Sequence, residues 1–281
     1  VLLAGQTSEN DLLVGGNYVY AGTGGAAPNL QKLKTNEYVE SKLNDLYDAA
    51  RLADSLSNIS FFSRSLVAGD IEDPLEFDLS TAAASLAGTS KHVMVQASHW
   101  SHVVAIANLC YKLARGEENF RNRPFLSLHV NHAVPPLRFD PESIKVMMEA
   151  VKRGIPVHCN VFGQLGASSP VTIAGSVAQT LAENLAGLVA VHILHPDASS
   201  IAGPRPMITD LRTGGMAGGA PEQSMATAAA VQVMRYWGIP CSVIAGATDS
   251  KLVDFQSGYE KALTINSAAQ TGANLITQAA G

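Results

Sequence analysis

The sequence predicts an α/β protein, a (β/α)8 TIM-type barrel, and three observations support this. Apolar strand candidates alternate with helix candidates from residue 60 to residue 280. Such alternation is typical of a parallel sheet covered by helices. The 281 residues suffice for one large barrel, and the 24 glycines suit many tight turns between strands and helices. An open, doubly wound sheet is the alternative, but no G-x-G-x-x-G motif follows the first strand candidate.

The repeating part of the chain contains seven strand candidates. They cover residues 60–67, 92–97, 125–131, 155–162, 188–194, 241–245 and 275–280. Helix candidates separate them, and the one that begins at Asp140 has an N-cap followed by proline in the first turn. Because a complete barrel of this type has eight units, we expect a fragment that lacks the last unit.

The N-terminal part of the chain stands outside this repeat. Residues 10–27 alternate in polarity and end in glycines, which is typical of a β-hairpin. Residues 35–56 space their apolar side chains as a helix does. We therefore expect residues 1–58 to form a hairpin and a helix packed on the barrel. Residues 59–281 should form the barrel itself, incomplete at its C-terminus.

Charge and composition disfavour several classes of function. The net charge is −5 and no run of Lys and Arg occurs, which disfavours a nucleic-acid groove. We identify no apolar stretch of membrane-spanning length and no signal peptide, so we expect a cytoplasmic protein without a membrane partner. Three cysteines, Cys110, Cys159 and Cys241, lie in apolar runs without a C-x-x-C motif. We expect them to be buried, reduced thiols.

Polar side chains recur on one face of the strand candidates. Alternate side chains of a strand point to opposite faces, so the apolar face should meet the helices and the other should face the barrel axis. The axial set is Gln96, Ser98, His129, Asn131, His158, Asn160, His192 and Ser242. We expect five of them to converge near the axis: His129, Asn131, His158, Asn160 and His192.

This polar set has three interpretations. The first is a hydrogen-bonded barrel interior with no further role, which for any single histidine is the commoner case. The second is a water-accessible cavity at the C-terminal mouth. Two His-x-Asn pairs favour it, because Asn and neutral His orient a ligand without imposing charge. The third is a metal site, but no H-x-H pair occurs and no Asp or Glu shares the face, so we predict none.

Four groups of motifs are distinctive when taken together. They are residues 22–28 (GTGGAAP); 168–175 with 182–187 (SSPVTIAG, AENLAG); 210–214 with 219–222 (DLRTG, GAPE); and 248–251, 254–256 and 258–261 (TDSK, DFQ, GYEK). In these motifs the chain resembles the trimethylamine:corrinoid methyltransferase family, and the resemblance covers most of its length. It implies a (β/α)8 barrel that in family members is longer than this chain.

In the trimethylamine enzymes of that family a pyrrolysine lies in the barrel. The corresponding position falls within residues 246–248, at Ala247, where this chain has only ordinary residues. The chain therefore resembles the larger non-pyrrolysine branch, whose members demethylate quaternary amines such as glycine betaine. This resemblance implies methyl transfer to the Co(I) of a corrinoid (cobalamin) on a partner protein, with no cofactor tightly bound in this chain. We also expect a homo-oligomer.

The implied chemistry assigns roles to individual residues. A quaternary nitrogen leaves as a neutral amine, so the barrel has to bind the cation and aim one methyl group out of its mouth. We expect the catalytic residues to be Ala247, Thr248 and Glu222. The expected substrate-binding residues are Gln96, His129, Asn131, His158, Asn160, Phe162, His192 and Arg212. Phe162 offers an aromatic face to a cation, and Arg212 could meet a substrate carboxylate.

Two features of the mouth follow from these assignments. Ala247 and Thr248 should border a cavity lined by Phe162, Asn160, His192 and Glu222. The loop of residues 199–220, which carries Arg205 and Arg212, should cover that cavity. Two other functions stay open: a non-catalytic barrel that binds a betaine-like solute or a partner protein, and a metal-dependent hydrolase on the same scaffold.

Overall fold

The computed structural model describes residues 1–32 and 34–280. Leu33, within the predicted N-terminal unit, and Gly281, the predicted end of the barrel, lie outside the described residues. Within the described ranges, eight parallel strands form one sheet, and we number them β1 to β8 in chain order. They are Tyr20–Thr23, Phe61–Ser63, His92–Val95, Leu126–Val130, Val157–Gln164, Ser200–Met207, Ser242–Ile244 and Leu275–Ala280.

The sheet closes into a barrel. Its strand order is β6-β5-β4-β3-β2-β1-β8-β7, and a parallel bridge from Ala202 to Cys241 joins the two end strands, β6 and β7. Eight helices, counted over the same described residues, accompany the strands as α1 to α8. They are Leu43–Ser55, Pro74–Gly88, Trp100–Leu113, Glu117–Asn122, Pro141–Lys152, Ile173–Leu194, Pro221–Tyr236 and Phe255–Thr271. The predicted (β/α)8 barrel is confirmed.

The apolar face of the strands packs beneath the helices, as the alternation predicts. Val93, Leu128 and Val157 belong to one buried cluster with Ile106 of α3 and Met147 of α5. Burial of this kind contributes about 25 cal/mol per Å² of apolar surface. The three cysteines are free and buried, as predicted. The opposite face of the strands is therefore left to line the barrel axis.

The expected hairpin over residues 10–27 is wrong. Tyr20–Thr23 is β1, and it pairs in parallel with β8 and β2. The antiparallel pair at this end is instead Leu2–Leu3 with Leu12–Leu13. Leu3 and Leu12 of this pair belong to the same buried cluster as Phe61 and Leu275 of the barrel. Because β1 was assigned to a hairpin, the strand count fell one short. Of the unit that we expected to be missing, the eighth strand is present, and no helix follows β8 among the described residues.

The predicted helix over residues 35–56 is shorter in the structure. Tyr38–Glu40 is a strand that pairs with Asn29–Gln31, and α1 begins only at Leu43. The side chain of Asp45 caps α1 by accepting a hydrogen bond from Lys42 N at 2.9 Å. The helical spacing of the apolar residues is thus confirmed only for the second half of the segment.

The predicted strand over residues 188–194 is wrong, because these residues are the end of α6. The true strand, β6, lies in the segment of residues 199–220 that we expected to be a loop. Prolines 204 and 206 fit into it because their nitrogens face β7. Ala202 N points to the same side and donates a hydrogen bond to Pro240 O at 3.1 Å. No described bridge joins β6 to β7 beyond Ala202, so the proline nitrogens do not interrupt the pairing.

Helix α6 is 22 residues long, and its length and composition would also suit a membrane span. The expectation that no apolar stretch reaches this length is therefore wrong. The side chains of Glu183 and Asn184 are buried on the barrel side of this helix. Asn184 Oδ1 accepts a hydrogen bond from Gly203 N of β6 at 2.8 Å. The AENLAG motif thus docks α6 onto the barrel.

Candidate active site

A cavity of about 260 Å³ opens at the C-terminal ends of the barrel strands. Its size lies just below that of ordinary ligand pockets, about 300–1,000 Å³. Its polar lining consists of Ser63, Arg64, Gln96, His129, Asn160, Arg205, Gln223, Thr277 and Gln278. Its apolar lining includes Met94, Phe162, Met207, Met216, Ile244 and Ala247. Across residues 1–32 and 34–280, no Asp or Glu lines the cavity, so its charged lining is entirely cationic.

Two histidines lie together at the inner end of the cavity, His129 in its lining and His158 beneath it. The ring centroids of His129 on β4 and His158 on β5 are 4.8 Å apart. His129 Nε2 lies 3.1 Å from Ser63 Oγ, and its Nδ1 lies 3.2 Å from Asn160 Nδ2. Gly203 makes room for this amide, because a Cβ there would overlap Asn160 Oδ1. These contacts fix His129 and Asn160 as a rigid pair.

A buried chain of polar groups continues below this pair. Ser127 Oγ lies 2.9 Å from His158 Nε2 and 2.8 Å from His92 Nε2. His92 Nδ1 in turn lies 2.8 Å from the carbonyl oxygen of Ala4, in the N-terminal segment. Burial lowers the pKa of His92 to about 4. It also lowers the pKa of His129 and His158 well below the usual value, and nearby Arg205 contributes to both shifts. All three imidazoles are therefore neutral at pH 7.

These neutral histidines predict an acid-labile fold. Below pH 6.5 the unfolded chain takes up protons at these positions, whereas the folded chain does not until the pH approaches 4 at His92. Stability should therefore rise with pH in this window and fall as the pH drops. For three such groups we expect a loss of about 5 kcal/mol in the free energy of unfolding between pH 7 and pH 5, measured with guanidinium.

Two variants test which groups cause this loss. His158→Gln removes one of the three groups and should reduce the loss by about a third. The control Asn266→Gln changes an exposed side chain on α8 that does not titrate and should leave the loss unchanged. Equal losses in both variants would contradict the assignment.

Arg205 is the most unusual residue of the cavity. It lies on β6 opposite Phe162 of β5, its side chain lines the cavity, and it is only 5% exposed. Its guanidinium carbon lies 5.1 Å from the centroid of the Phe162 ring. In the part of the chain that the structure describes, no carboxylate or hydrogen-bond acceptor pairs with it, and its Nε is buried without a partner. Burial lowers its pKa to about 9, so it is still charged at pH 7.

A second arginine, Arg64, lies at the edge of the cavity but is better compensated. Its Nη2 donates to Gln96 Oε1 at 2.6 Å, and its guanidinium lies over the ring of Phe77. Burial lowers the pKa of Arg64, and the charge of Asp78 opposes that shift. Arg205 therefore carries the uncompensated charge of this site. This is unusual, because buried charges are normally paired.

The loop after β7 places Ala247 in the cavity wall. Thr248 Oγ1 donates to Glu260 Oε2 at 2.7 Å, and Asp249 N donates to the same oxygen at 2.8 Å. Asp249 Oδ1 accepts a hydrogen bond from Gly218 N at 3.2 Å, which joins this loop to the one after β6. The TDSK and GYEK motifs thus hold the loop in place, with Thr248 behind the wall rather than in it.

Several predicted site residues do come together. Gln96, His129, Asn160, Phe162 and Ala247 all line the cavity. His158 is fully buried beneath it, two residues before Asn160 on β5. The loop after β6 contributes Met216 and Gly218 to the lining, so its second half lies at the mouth.

Four predicted site residues lie elsewhere. His192 is exposed on α6, because the predicted strand is a helix, and Asn131 is exposed just past β4. Glu222 is exposed in the first turn of α7, whereas its neighbour Gln223 lines the cavity and donates to Pro206 O at 2.7 Å. The side chain of Arg212 is 90% exposed and pairs with Asp210 at 3.1 Å. The expectations that Asn131 and His192 converge near the axis, and that His192 and Glu222 line the cavity, are therefore wrong.

Sequence reasoning placed Arg205 in the loop expected to cover the cavity and missed Gln223 and Gln278. The alternation of β6 would have assigned Arg205 to the axial face had the segment been recognised as a strand. The other two carry no signal in the sequence beyond their position near the ends of predicted elements. No group of three or more His, Cys, Asp or Glu that could hold a metal ion occurs within the described residues.

Solved structures similar to this chain share its fold. Dihydropteroate synthases from Xanthomonas albilineans and Coxiella burnetii superpose with TM-scores of 0.58 and 0.60, each at 11% identity. Each match covers 98% of this chain and 92% of the other. At this level of identity the likeness concerns the barrel alone.

The sequence relatives are more informative. Trimethylamine methyltransferase MttB of Desulfitobacterium hafniense is 28% identical over 276 residues, covering 98% of this chain and 55% of the relative. Glycine betaine methyltransferase of the same species is 26% identical over 280 residues, covering 99% and 58%. This chain thus spans a little over half the length of these relatives. The family model described as trimethylamine methyltransferase (MTTB) matches residues 1–281, so the chain belongs to that family.

Proposed function

We propose that this barrel binds a quaternary amine of the glycine betaine type and that one of its methyl groups passes to a corrinoid on a partner protein. The observation that carries the proposal is the buried, unpartnered charge of Arg205 in a cavity that no described Asp or Glu lines. A carboxylate on the substrate would supply the missing partner, through the paired hydrogen bonds that Arg forms with carboxylates.

The same charge disfavours amines that carry no carboxylate. Two positive charges 5 Å apart repel each other by about 3 kcal/mol at an effective dielectric constant of 20. Trimethylammonium and choline would meet this repulsion without compensation, whereas a zwitterion gains at its carboxylate what it loses at its ammonium group. Both the absence of pyrrolysine at Ala247 and the glycine betaine methyltransferase among the relatives agree with this choice.

The residues of the cavity have simple tasks in this reaction. Arg205 holds the carboxylate, and the neutral His129 and Asn160 donate or accept hydrogen bonds without adding charge. Ala247 leaves space for the N-methyl groups at the mouth. The corrinoid, when its carrier docks, supplies the Co(I) nucleophile. The electron pair of the broken C–N bond stays on nitrogen and the product is a neutral tertiary amine, so no residue has to donate a proton.

The rim of the mouth suits a docking protein. Leu252, Val253 and Phe255 follow β7 as large exposed apolar side chains, and Phe255 is 98% exposed. Exposed apolar groups of this kind commonly mark protein interaction sites. We propose that the corrinoid carrier covers this rim, next to the loop of Ala247.

A methyl-transfer assay tests the proposal. The protein is mixed with cob(I)alamin, free or on a corrinoid protein, and with glycine betaine, choline or trimethylamine. We expect methylated corrinoid and dimethylglycine from glycine betaine, and at least about 100-fold slower transfer from the other two, as for sites that lose a buried polar partner. Equal turnover of choline would contradict the role of Arg205. Tight betaine binding without transfer to any acceptor would favour a non-catalytic binding barrel.

A further inference from the structure

Gln278 of β8 has an unusual backbone. Its φ angle is +71°, in the left-handed region that residues with a side chain rarely adopt. It lies where the pairing of β8 with β1 changes register, between Ile276 and Ala280. Irregularities of this kind redirect side chains and are common next to active sites.

Three glycines make this conformation possible. A Cβ at Gly246 would overlap Gln278 O, and one at Gly24 would lie 3.1 Å from Gln278 N. A Cβ at Gly25 would lie 3.3 Å from Gln278 Nε2. Two of these glycines belong to the GTGGAAP motif, and the third directly precedes Ala247. Two motifs of the sequence thus converge on one residue that neither of them contains.

The side chain of Gln278 lines the cavity, and its amide has no hydrogen-bond partner among the residues that the structure describes. Because neither atom of this amide is paired, its oxygen is available as a hydrogen-bond acceptor. The other unpaired amide oxygen of the lining, Asn160 Oδ1, lies against Gly203. No described carboxylate lines the cavity, and Arg205 already lies over the ring of Phe162.

We infer that Gln278 binds the ammonium end of the substrate, with its amide oxygen against the N-methyl groups, while Arg205 holds the carboxylate. The C–H bonds of these methyl groups are polarised by the adjacent positive nitrogen, which makes them donors to an amide oxygen. This inference rests on the proposed function and gives the substrate an orientation. The N-methyl groups lie beside the loop of Ala247, on the side where the methyl acceptor would dock.

The test compares two ligands of the same shape. Glycine betaine and 3,3-dimethylbutanoate both carry the carboxylate, but the second has carbon in place of the charged nitrogen. The ratio of their dissociation constants, measured by calorimetry, therefore reports on the ammonium end alone. In Gln278→Glu, the added carboxylate should raise the preference for glycine betaine at least about fivefold.

A second variant and a control complete the test. Gln278→Gly removes the amide and relieves the backbone, so it should fold at least as stably and lower the preference for glycine betaine about threefold. Gln270→Glu adds the same charge at an exposed position of α8 and should leave the ratio unchanged. An unchanged ratio in both Gln278 variants would overturn the inference.

The methyl-transfer assay separates this inference from the proposed function. If the wild-type protein transfers methyl groups but the Gln278 variants leave the ratio of dissociation constants unchanged, the inference fails and the proposed function stands. If the variants change the ratio of dissociation constants as expected but no acceptor is methylated, Gln278 binds the ammonium group and the proposed methyl transfer is wrong.

Discussion

Replacing Arg205 with methionine is expected to weaken the binding of glycine betaine by roughly 30-fold or more. Methionine occupies a similar space but carries no charge, so the substrate carboxylate would be buried without a partner. Binding of choline, which has no carboxylate, should be unchanged or stronger, because the repulsion from the guanidinium is gone. Calorimetric titration of both ligands measures the two effects.

The same substitution should stabilise the folded protein. Arg205 is only 5% exposed and has no ion-pair partner within the described residues. Removing such a charge should raise the free energy of unfolding by about 1–3 kcal/mol, as when buried ions are replaced by apolar side chains. The control Arg212→Met changes an exposed arginine of the mouth loop and should alter neither binding nor stability. Lower stability with unchanged betaine binding would show that Arg205 has a structural role.

Enlarging Ala247 to leucine should lower kcat/KM for methyl transfer by at least roughly 100-fold. Ala247 lines the cavity, and its Cβ lies 3.1 Å from the point where a Cβ on Gly218 would be. A leucine would therefore fill the space left for the N-methyl groups. Steady-state methyl transfer to cob(I)alamin measures the loss.

The fold should survive this change, because Ala247 lies in the loop after β7 and is only partly buried. Ala262→Leu, on the exposed face of α8, adds the same volume away from the cavity and should retain full activity. Undiminished transfer by Ala247→Leu would remove this position from the site and favour a barrel that only binds its ligand.

Much of the barrel could be predicted from local patterns. The strands beginning at His92, Leu126 and Val157 alternate between an apolar and a polar face, and the structure places those faces as expected. The N-cap at Asp140 is confirmed, since its carboxylate accepts a hydrogen bond from Ser143 N at 2.8 Å. These features depend on residues close together in the sequence, which is why sequence reasoning finds them.

The errors concern segments in which tertiary contacts overrule the local pattern. Residues 188–194 form an apolar run that periodicity cannot distinguish from a strand, yet they are the end of α6. The true strand contains Pro204 and Pro206, which are compatible with a strand only because β6 lies at the seam of the barrel. The position where the two end strands meet depends on closure of the whole sheet, and no local sequence pattern indicates it.

The same error explains why the site was only partly predicted. His129, Asn160 and Phe162 lie on strands that the sequence identifies, and they line the cavity. His192 was assigned to the site from the false strand, whereas Arg205, which lies on the true strand, was assigned to a covering loop. Gln278 enters the site through a register change in β8, which depends on the two glycines that follow β1 and on Gly246 in the loop after β7.

A crystal structure with bound glycine betaine tests the central claim most directly. We expect the carboxylate within hydrogen-bond distance of the Arg205 guanidinium, and the N-methyl groups between Gln278 and Ala247, facing the mouth of the barrel. A betaine bound in the reverse orientation, with its carboxylate at the mouth and its ammonium group beside Arg205, would contradict the account.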